Sequence, residues 1–232
     1  MTVLEPQALQ RGDLRIVYLG PSDLDRLYAL HAALHRDPDQ AGQFVHETRD
    51  FFRQHLGEHG RVLGLIADGG ALVGYSVLGL PDADDPDNFG ADIGLPAGER
   101  GRVAHLDGTG IHPAWRGLGL QRALIRERLR ICEGIGRTIA LSTAAPPNRR
   151  SLGNLLAAGL IVVALVTKYS SERFVLRQDV DRPVPVASAA VGPCVPLPES
   201  ARHQALLSAS WRGIALRDRG GEPCLVYADP SF

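Results

Sequence analysis

The sequence has little of what marks a membrane, secreted or nucleic-acid-binding protein. No run of about 18 apolar residues occurs, and residues 1–20 lack the cationic flank and apolar stretch of a secretion signal. A formal net charge of −1 supplies no long-range field for a nucleic-acid backbone, and no basic run is interleaved with aromatic residues. We therefore expect neither membrane nor nucleic-acid partners.

Cysteine is scarce as well. Cys132, Cys194 and Cys224 are odd in number and far apart, and no CxxC pair occurs. This spacing favours neither a disulfide framework nor a zinc site, so we expect no metal and a reducing, cytoplasmic location. Cys132 falls in an expected helix, where we expect it to be a buried small hydrophobic residue rather than a nucleophile.

Apolar residues make up 44% of the 232 residues, enough for one sizeable core or a core with a small appendage. Their periodicity predicts a strand at 14–18, helices at 24–34 and 45–56, a hairpin at 62–80, a strand at 103–112, a helix at 120–132, a strand at 138–143, a helix at 149–158 and a strand pair at 162–177. This order predicts an α/β fold of three layers, a mixed sheet with helices on its faces. The stretch at 81–101 is predicted to be an irregular loop and a candidate lid.

The composition changes near residue 179, where a proline-rich stretch begins. We therefore divide the chain into a domain at 1–178 and an extension at 179–232, a linker followed by a helix at 200–209 and a hairpin at 213–227. So short an α+β appendage cannot bury enough surface to fold alone. We expect it to dock on the core or on another subunit, which would make a homodimer.

The stretch from Ile111 to Gln121 carries the chemistry, because a strand there runs into a glycine turn that opens a helix. Backbone N–H groups of such a turn, and the positive end of the helix dipole, attract an anion. Gly117 and Gly119 let the backbone approach phosphate oxygens, and Arg116 can add a charge-assisted contact. The alternative is a plain structural turn. A Walker P-loop is absent, and a dinucleotide fingerprint would lack its third glycine.

These residues resemble the GNAT superfamily of acyl-CoA-dependent N-acyltransferases, whose acyl-CoA motif is Q/R-x-x-G-x-G/A after a strand that often ends in V-x-P. Residues 111–113 are similar to that strand end, and residues 114–119 fit the motif with Ala114 in place of its first residue. The family's second signal, N-x-x-A/S-x-x-x-Y-x-x-x-G-F, is similar to the positions held here by Asn148, Ser151, Leu155, Gly159 and Leu160.

The resemblance covers about residues 14–177 and implies a GNAT-like three-layer fold. Its central sheet would be mixed, mostly antiparallel and splayed between strands 4 and 5, to admit the pantetheine arm of CoA. The implied cosubstrate is acetyl-CoA or another acyl-CoA. The residues expected to bind it are Gly110, Ile111, Arg116, Gly117, Leu118, Gly119, Leu120, Gln121, Asn148 and Ser151.

The resemblance also implies direct transfer, in which a neutral amine attacks the thioester within a ternary complex. A backbone N–H near Gly110 or Ile111 would stabilise the oxyanion. Strand alternation points His105 and Asp107 to the same side, similar to the two histidines of arylalkylamine N-acetyltransferases that relay the proton through water. We expect His105 to be the base and Asp107 its relay partner. The alternative is a hydrogen-bonded sheet histidine and a polar residue at a strand end.

Three further residues have more than one interpretation. Leu155 occupies the place of the tyrosine that often serves the family as general acid, so Tyr169 or water would have to protonate the departing thiolate. For Tyr169 the alternative is an aromatic strand residue packed on the core. Asn148 would hydrogen-bond the pantetheine arm or the acceptor, or would cap the helix that follows it.

The leading function is acetylation of a primary amine on a small molecule. Two alternatives stay open: a protein lysine or N-terminus as the acceptor, and a non-catalytic acyl-CoA-binding or assembly module. The extension at 179–232 could cover the acceptor site or form a dimer contact.

Overall fold

The computed structural model describes residues 14–35, 45–183 and 191–229. Their contacts divide the chain into two compact units. The first comprises the described residues up to 81 together with 104–136, and the second comprises 82–103 and the described residues from 137 onward. The sequence-based boundary between residues 178 and 179 stays a prediction.

Ten strands and seven α-helices are formed by the described residues. The strands are β1 (Arg15–Leu19), β2 (Gly60–Ile66), β3 (Leu72–Gly79), β4 (Val103–Ile111), β5 (Ile139–Ala144), β6 (Ile161–Lys168), β7 (Ser171–Asp179), β8 (Val191–Pro196), β9 (Arg212–Arg219) and β10 (Glu222–Ala228). The helices are α1 (Leu24–His35), α2 (Arg49–His55), α3 (Phe89–Asp92), α4 (Ala97–Arg100), α5 (Leu120–Gly134), α6 (Arg149–Ala157) and α7 (Ser200–Ser208). Helix α2 starts later than predicted, because the Thr48 side chain accepts a hydrogen bond from the Phe51 N–H and caps it there.

Strands β1 to β4 lie side by side in the first unit in chain order, and each neighbouring pair is antiparallel. The β2–β3 hairpin turns at Asp68–Gly70, as predicted, where Gly69 and Gly70 have φ of 79° and 82°. A positive φ favours glycine, so these two residues specify the turn. The pairing of β4 with β3 shifts between Ser76 and Leu78, a β-bulge with its extra residue in β4.

Helices α1 and α2 cover one face of this sheet through an apolar cluster. Leu27 and Phe52 of the helices pack there on Tyr75 and Val77 of β3. His31 of α1 and the Tyr75 hydroxyl form a buried hydrogen bond of 2.7 Å. Because strand side chains alternate, Ser76 and Leu78 point to the other face.

The strands of the second unit lie in the order β5–β7–β6–β9–β10–β8, with antiparallel neighbours throughout. The stretch at 81–101, predicted to be irregular, contains the short helices α3 and α4. Phe89 and Leu95 from this stretch are buried against Ile139 and Leu141 of β5. The Asn88 side chain, 1% exposed, donates to two main-chain carbonyls of the same stretch. The prediction of no regular element here is therefore wrong, and the segment is packed.

The C-terminal residues add three strands and α7 to the second unit. Strand β8 lies where a linker was predicted. It contains Pro193, which has no backbone N–H, and it is the last strand in the sheet order, a position where a strand can lack one backbone donor. Antiparallel pairing of β8 with β10 brings Cys194 and Cys224 together as a disulfide, with Cα atoms 5.6 Å apart. The expectation of no disulfide is therefore wrong, because this contact depends on a strand pairing that the spacing of cysteines does not reveal. Cys132 is buried, as predicted.

A second buried histidine–tyrosine pair joins α7 to β10. His203 Nδ1 lies 2.7 Å from the Tyr227 hydroxyl, and its Nε2 donates to the Pro196 carbonyl at 3.0 Å. Both side chains are 0% exposed. Within residues 14–35, 45–183 and 191–229, no helix has both the length and the apolar character needed to cross a bilayer.

Candidate active site

The glycine turn predicted to hold a phosphate lies at the start of α5, in the first unit. Strand β4 ends at Ile111, a short 3₁₀ turn follows, and α5 begins directly after Gly119. Gly117 and Gly119 have φ of 82° and 73°. A Cβ at Gly117 would meet nothing within 4 Å, and one at Gly119 only the Arg122 guanidinium at 3.9 Å. The turn therefore exposes its backbone, which fits the approach of a diphosphate.

Arg116 and His112 frame this turn. Arg116 Nε donates to the Ile111 carbonyl at 3.1 Å, so its guanidinium is anchored beside the glycines by one of its donors. The His112 ring accepts a hydrogen bond from the Ala114 N–H and is exposed. Leu118, between the two glycines, is 48% exposed.

Strand β4 places His105 and Asp107 on the face that α1 and α2 cover. His105 pairs with Gly79 of β3 and is 6% exposed. A Cβ built on Gly79 would lie 2.4 Å from Asp107 Oδ2 and 3.2 Å from the His105 Cβ. Both side chains thus lie over the same glycine, as the alternation predicted. Only glycine at position 79 leaves room for the carboxyl.

His55 completes the group, and sequence reasoning missed it. It is the last residue of α2, and its Nε2 lies 3.8 Å from Asp107 Oδ2. The same hypothetical Cβ on Gly79 would lie 3.4 Å from this nitrogen. His55 Nδ1 lies 2.8 Å from the Phe51 carbonyl oxygen, one turn earlier in the helix. No motif marks this residue, because the contact joins α2 to a strand about 50 residues away.

Arg128 of α5 braces the bulge in β4 and is itself 2% exposed. Its Nη1 donates to the Val77 carbonyl at 2.8 Å and to the Asp107 carbonyl at 3.0 Å, and its Nη2 donates to Thr109 Oγ1 at 3.3 Å. Thr109 Oγ1 also lies 2.6 Å from Ser76 Oγ. A β-bulge interrupts the regular backbone hydrogen bonding between two strands, and the Arg128 guanidinium donates to the carbonyls of Val77 and Asp107 there.

Electrostatics make Asp107 unusual among carboxyl groups. Burial raises its pKa to about 7, and the nearby Arg128 guanidinium opposes that rise. Burial in turn lowers the pKa of Arg128 to about 10. A carboxyl with a pKa near neutrality can exchange a proton under physiological conditions, which an ordinary aspartate cannot.

The predicted oxyanion donors lie further along β4. Gly110 pairs with Tyr75, and Ile111 pairs with Gly74. A Cβ on Gly110 would lie 2.4 Å from the Tyr75 ring and 2.6 Å from Leu34. Close packing of the Tyr75 ring therefore requires glycine there. That the N–H of either residue serves an oxyanion stays a prediction.

Asn148 and Ser151 lie in the second unit and are linked by helix capping. Asn148 is the N-cap of α6, and its Oδ1 accepts a hydrogen bond from the Ser151 N–H at 3.1 Å. The capping interpretation of Asn148 is confirmed, whereas contact of either residue with the pantetheine arm stays a prediction. Leu155 is buried in the same helix.

Tyr169 lies in the turn between β6 and β7 and is 48% exposed, so packing on the core, one of its two interpretations, is wrong. The Arg173 guanidinium lies 5.4 Å from its ring centroid. Among residues 14–35, 45–183 and 191–229, no three or more histidine, cysteine, aspartate or glutamate side chains are grouped so as to hold a metal ion.

Comparison with known proteins identifies the group to which this arrangement belongs. The model of the acetyltransferase (GNAT) family matches residues 24–157, more than half of the chain. Comparison with curated proteins gives no match.

Solved structures that resemble this one include three acetyltransferases. Ribosomal-protein-S5-alanine acetyltransferase from Vibrio fischeri has a TM-score of 0.56 at 12% identity, covering 77% of this chain and all of its own. NAA60 from Arabidopsis thaliana, in complex with acetyl-CoA, has a TM-score of 0.55 at 14% identity, covering 73% of this chain and 99% of its own. Aminoglycoside acetyltransferase AAC(6')-Ib, in complex with coenzyme A and kanamycin, has a TM-score of 0.54 at 15% identity, covering 72% of this chain and 94% of its own.

Structural similarity at such low sequence identity is evidence for the fold alone. The three structures confirm the predicted α/β class and GNAT-like architecture. The family model adds the sequence relationship over the stretch that contains the glycine turn, His55, Asp107 and Arg128. The chain therefore belongs to the acetyltransferase (GNAT) family and is an acyl-CoA-dependent N-acyltransferase.

Proposed function

We propose that the protein transfers an acetyl group from acetyl-CoA to a primary amine of a small molecule, by direct attack within a ternary complex. One observation carries the proposal. Strand β4 bears Asp107, a carboxyl of near-neutral pKa, and then leads through Ile111 into the exposed glycine turn of α5. In this proposal the proton acceptor and the diphosphate site lie on one continuous stretch of chain.

In this proposal the backbone of residues 116–121 binds the diphosphate of acetyl-CoA, with Arg116 beside it. Positive φ at Gly117 and Gly119 exposes the peptide groups, and the N-terminus of α5 adds its dipole. Gly110, Ile111, Leu118, Leu120 and Gln121, with Asn148 and Ser151, are the further residues that we propose to bind the cosubstrate.

The acceptor amine must lose a proton before it can attack, because a lysine-like ammonium has a pKa of about 10.4. From the sequence, His105 is expected to be the base and Asp107 its relay partner. Because burial raises the pKa of Asp107 to about 7, we propose instead that Asp107 takes this proton and that His105, on the same face of β4, is its relay partner. The amine lone pair then forms a bond to the thioester carbon, and the oxygen gains charge that an N–H of Gly110 or Ile111 stabilises. The carbon–sulfur bond breaks with its electron pair on sulfur. The second proton passes from the nitrogen to water, and water returns a proton to the thiolate, so that the amide and the free thiol of CoA are the products.

The exposure of the site supports a slender acceptor. The side chains of His55 and Asp107 are each 14% exposed, so the amine must reach them on a narrow chain. Both aminoglycoside and ribosomal-protein acetyltransferases have this fold, so the fold alone does not choose between acceptors. We favour a small molecule, and the acceptor screen below tests that choice.

A thiol-release screen against acetyl-CoA and longer acyl-CoAs tests the function. We expect release that depends on a small primary amine, with kcat/KM at least about tenfold above that for peptides bearing a lysine or a free N-terminus. Faster turnover of peptides would assign the protein to the alternative class. Binding of CoA without turnover of any amine would contradict an enzymatic role.

The place of His105 is tested in the same assay. We expect His105→Ala to lower acceptor-dependent kcat/KM by at least about tenfold. Exposed His59 provides the matched control, since His59→Ala should change turnover little. Equal turnover in His105→Ala would remove His105 from the mechanism and leave Asp107 as the proton acceptor.

A further inference from the structure

Helix α2 ends on the face of the sheet where Asp107 lies, and its last residue is a histidine. His55 Nε2 lies 3.8 Å from Asp107 Oδ2, and both side chains are partly accessible. This distance is longer than a direct hydrogen bond but short enough for each group to act electrostatically on the other. Neither the glycine turn nor the family motif involves α2, so the contact is additional to the predicted site.

The tautomer of His55 follows from its other nitrogen. Nδ1 lies 2.8 Å from the Phe51 carbonyl oxygen, and a carbonyl can only accept, so Nδ1 carries a hydrogen. In the neutral ring Nε2 is then the acceptor, and it faces the carboxyl. The helix backbone thus fixes the imidazole in the form that can receive a proton from Asp107.

Strand β3 has a glycine next to the side chains of His55 and Asp107. Glycine weakens a strand, and the backbone of Gly79 does not have the positive φ that would favour glycine, so neither strand formation nor backbone conformation explains this residue. Any larger residue would place its Cβ 2.4 Å from Asp107 Oδ2 and 3.4 Å from His55 Nε2. Room for these two groups is the physical reason for glycine at this position.

We propose that His55 is a positioning residue that shares one proton with Asp107, so that the pair, rather than the carboxyl alone, accepts the proton of the acceptor ammonium. This inference rests on the proposed function and deepens it. The proton passes from the substrate nitrogen to Asp107 and is shared with Nε2, and the pair returns it to water after product leaves. No oxidant or further reactant is needed.

Other charged groups around the carboxyl set the pH range. Arg128 of α5 donates to the backbone carbonyl of Asp107 and acts on its carboxyl through its charge, His105 lies beside the carboxyl on β4, and the neighbouring residue of β3 is the uncharged Gly79. Burial holds the pKa of Asp107 near 7, with Arg128 opposing. Two sites so close titrate as a coupled pair.

Nuclear magnetic resonance titration of the His55 ring in the protein without substrate tests the pair independently of activity. Asp107→Asn removes the negative charge, so the midpoint of His55 should fall by about one pH unit or more. An unchanged midpoint would overturn the proposal, whatever amine the enzyme acts on. A shifted midpoint together with no turnover of any amine would contradict the proposed function instead, and with it the catalytic role of the pair.

The pH profile of kcat/KM tests the role in catalysis. Because Nε2 of His55 shares the accepted proton, a pair without this nitrogen should bind that proton less tightly, so the acid limb of His55→Gln should move to lower pH by about half a unit or more. The matched control is His59→Gln, a nearby exposed histidine whose change should leave the profile in place. A His55→Gln profile that superimposes on that of the unmodified protein would overturn the proposal. The titration of Asp107→Asn keeps it testable if His55→Gln does not fold.

Discussion

The Arg128 guanidinium donates to the carbonyl oxygen of Asp107 at 3.0 Å from α5, while the carboxyl of the same residue lies over Gly79 on the α2 side of β3. One residue of the bulge is therefore held through its backbone from one side of the sheet and exposes its side chain on the other. The bulge and the proposed proton acceptor are therefore parts of a single structural feature.

Removal of the Arg128 guanidinium should destabilise the fold. Arg128→Leu leaves the carbonyls of Val77 and Asp107 without their buried charged donor, which should lower the free energy of unfolding by about 3 kcal/mol or more. Urea denaturation measures the loss. Arg126→Leu, an exposed position of the same helix, is the control and should change the free energy by less than about 0.5 kcal/mol. Equal effects of the two variants would show that the bulge does not depend on Arg128.

A side chain at Gly119 should abolish binding of acetyl-CoA without unfolding the chain. Gly119 has φ of 73°, which costs a β-branched residue about 1–2 kcal/mol, and a valine there would also cover the N-terminus of α5. We expect the Kd for acetyl-CoA in Gly119→Val to rise at least about 100-fold, measured by calorimetry. Gly220→Val in the β9–β10 turn has a similar φ of 66° and open surroundings, so it carries the same strain and should bind acetyl-CoA normally. Retained affinity in Gly119→Val would count against the diphosphate site.

Acid should weaken the second unit through His203. Burial lowers the pKa of His203 from 6.5, so the unfolded chain binds more protons than the folded chain below that pH. Stability from this residue is therefore complete above pH 6.5 and falls as the pH drops. Burial raises the pKa of Asp107, which adds stability as the pH falls over the same range, so the effect of His203 is measured as a difference between proteins. Between pH 7.5 and 5.5 the free energy of unfolding of the parent protein should fall relative to that of His203→Gln. His112→Gln, at an exposed position, should keep the pH dependence of the parent protein. A His203→Gln slope equal to that of the parent protein would refute this assignment.

Reduction of the Cys194–Cys224 disulfide should lower stability. The two residues are 30 positions apart, and a loop of that length corresponds to about 3–4 kcal/mol of unfolded-state entropy. Denaturation curves with and without reductant, in a Cys132→Ser background, measure the difference. The double variant Cys194→Ala with Cys224→Ala should have the same free energy of unfolding as the reduced protein, and reductant should not change it. Identical curves in both conditions would mean that the bond contributes nothing.

Local patterns in the sequence predicted the elements that depend on neighbouring residues. The β2–β3 hairpin follows from Asp68-Gly69-Gly70, and the start of α5 follows from the glycine turn. The family resemblance led to the correct fold and to His105 and Asp107 as candidate residues. Their shared face followed from alternation along β4 alone.

What the sequence did not predict depends on contacts between distant residues. The disulfide and strand β8 arise from the pairing of β8 with β10, and burial of Phe89 arises from its packing on β5. His55 meets Asp107 only because α2 ends over Gly79. Arg128 is one of several arginines in α5, and nothing in the sequence distinguishes it from the others. Its burial depends on the bulge in β4, which no local pattern predicts.

The pH dependence of acetyl transfer by Asp107→Asn tests the central claim most directly. The assay is acceptor-dependent thiol release from acetyl-CoA, with kcat/KM measured between pH 5.5 and 9 for the best amine. We predict that activity of the unmodified protein rises through pH about 7, the pKa of Asp107. Asp107→Asn should lose this rise and fall at least about 100-fold in kcat/KM at pH 8, with acetyl-CoA affinity retained. An Asp107→Asn protein with the full rate and the same pH profile would contradict the account.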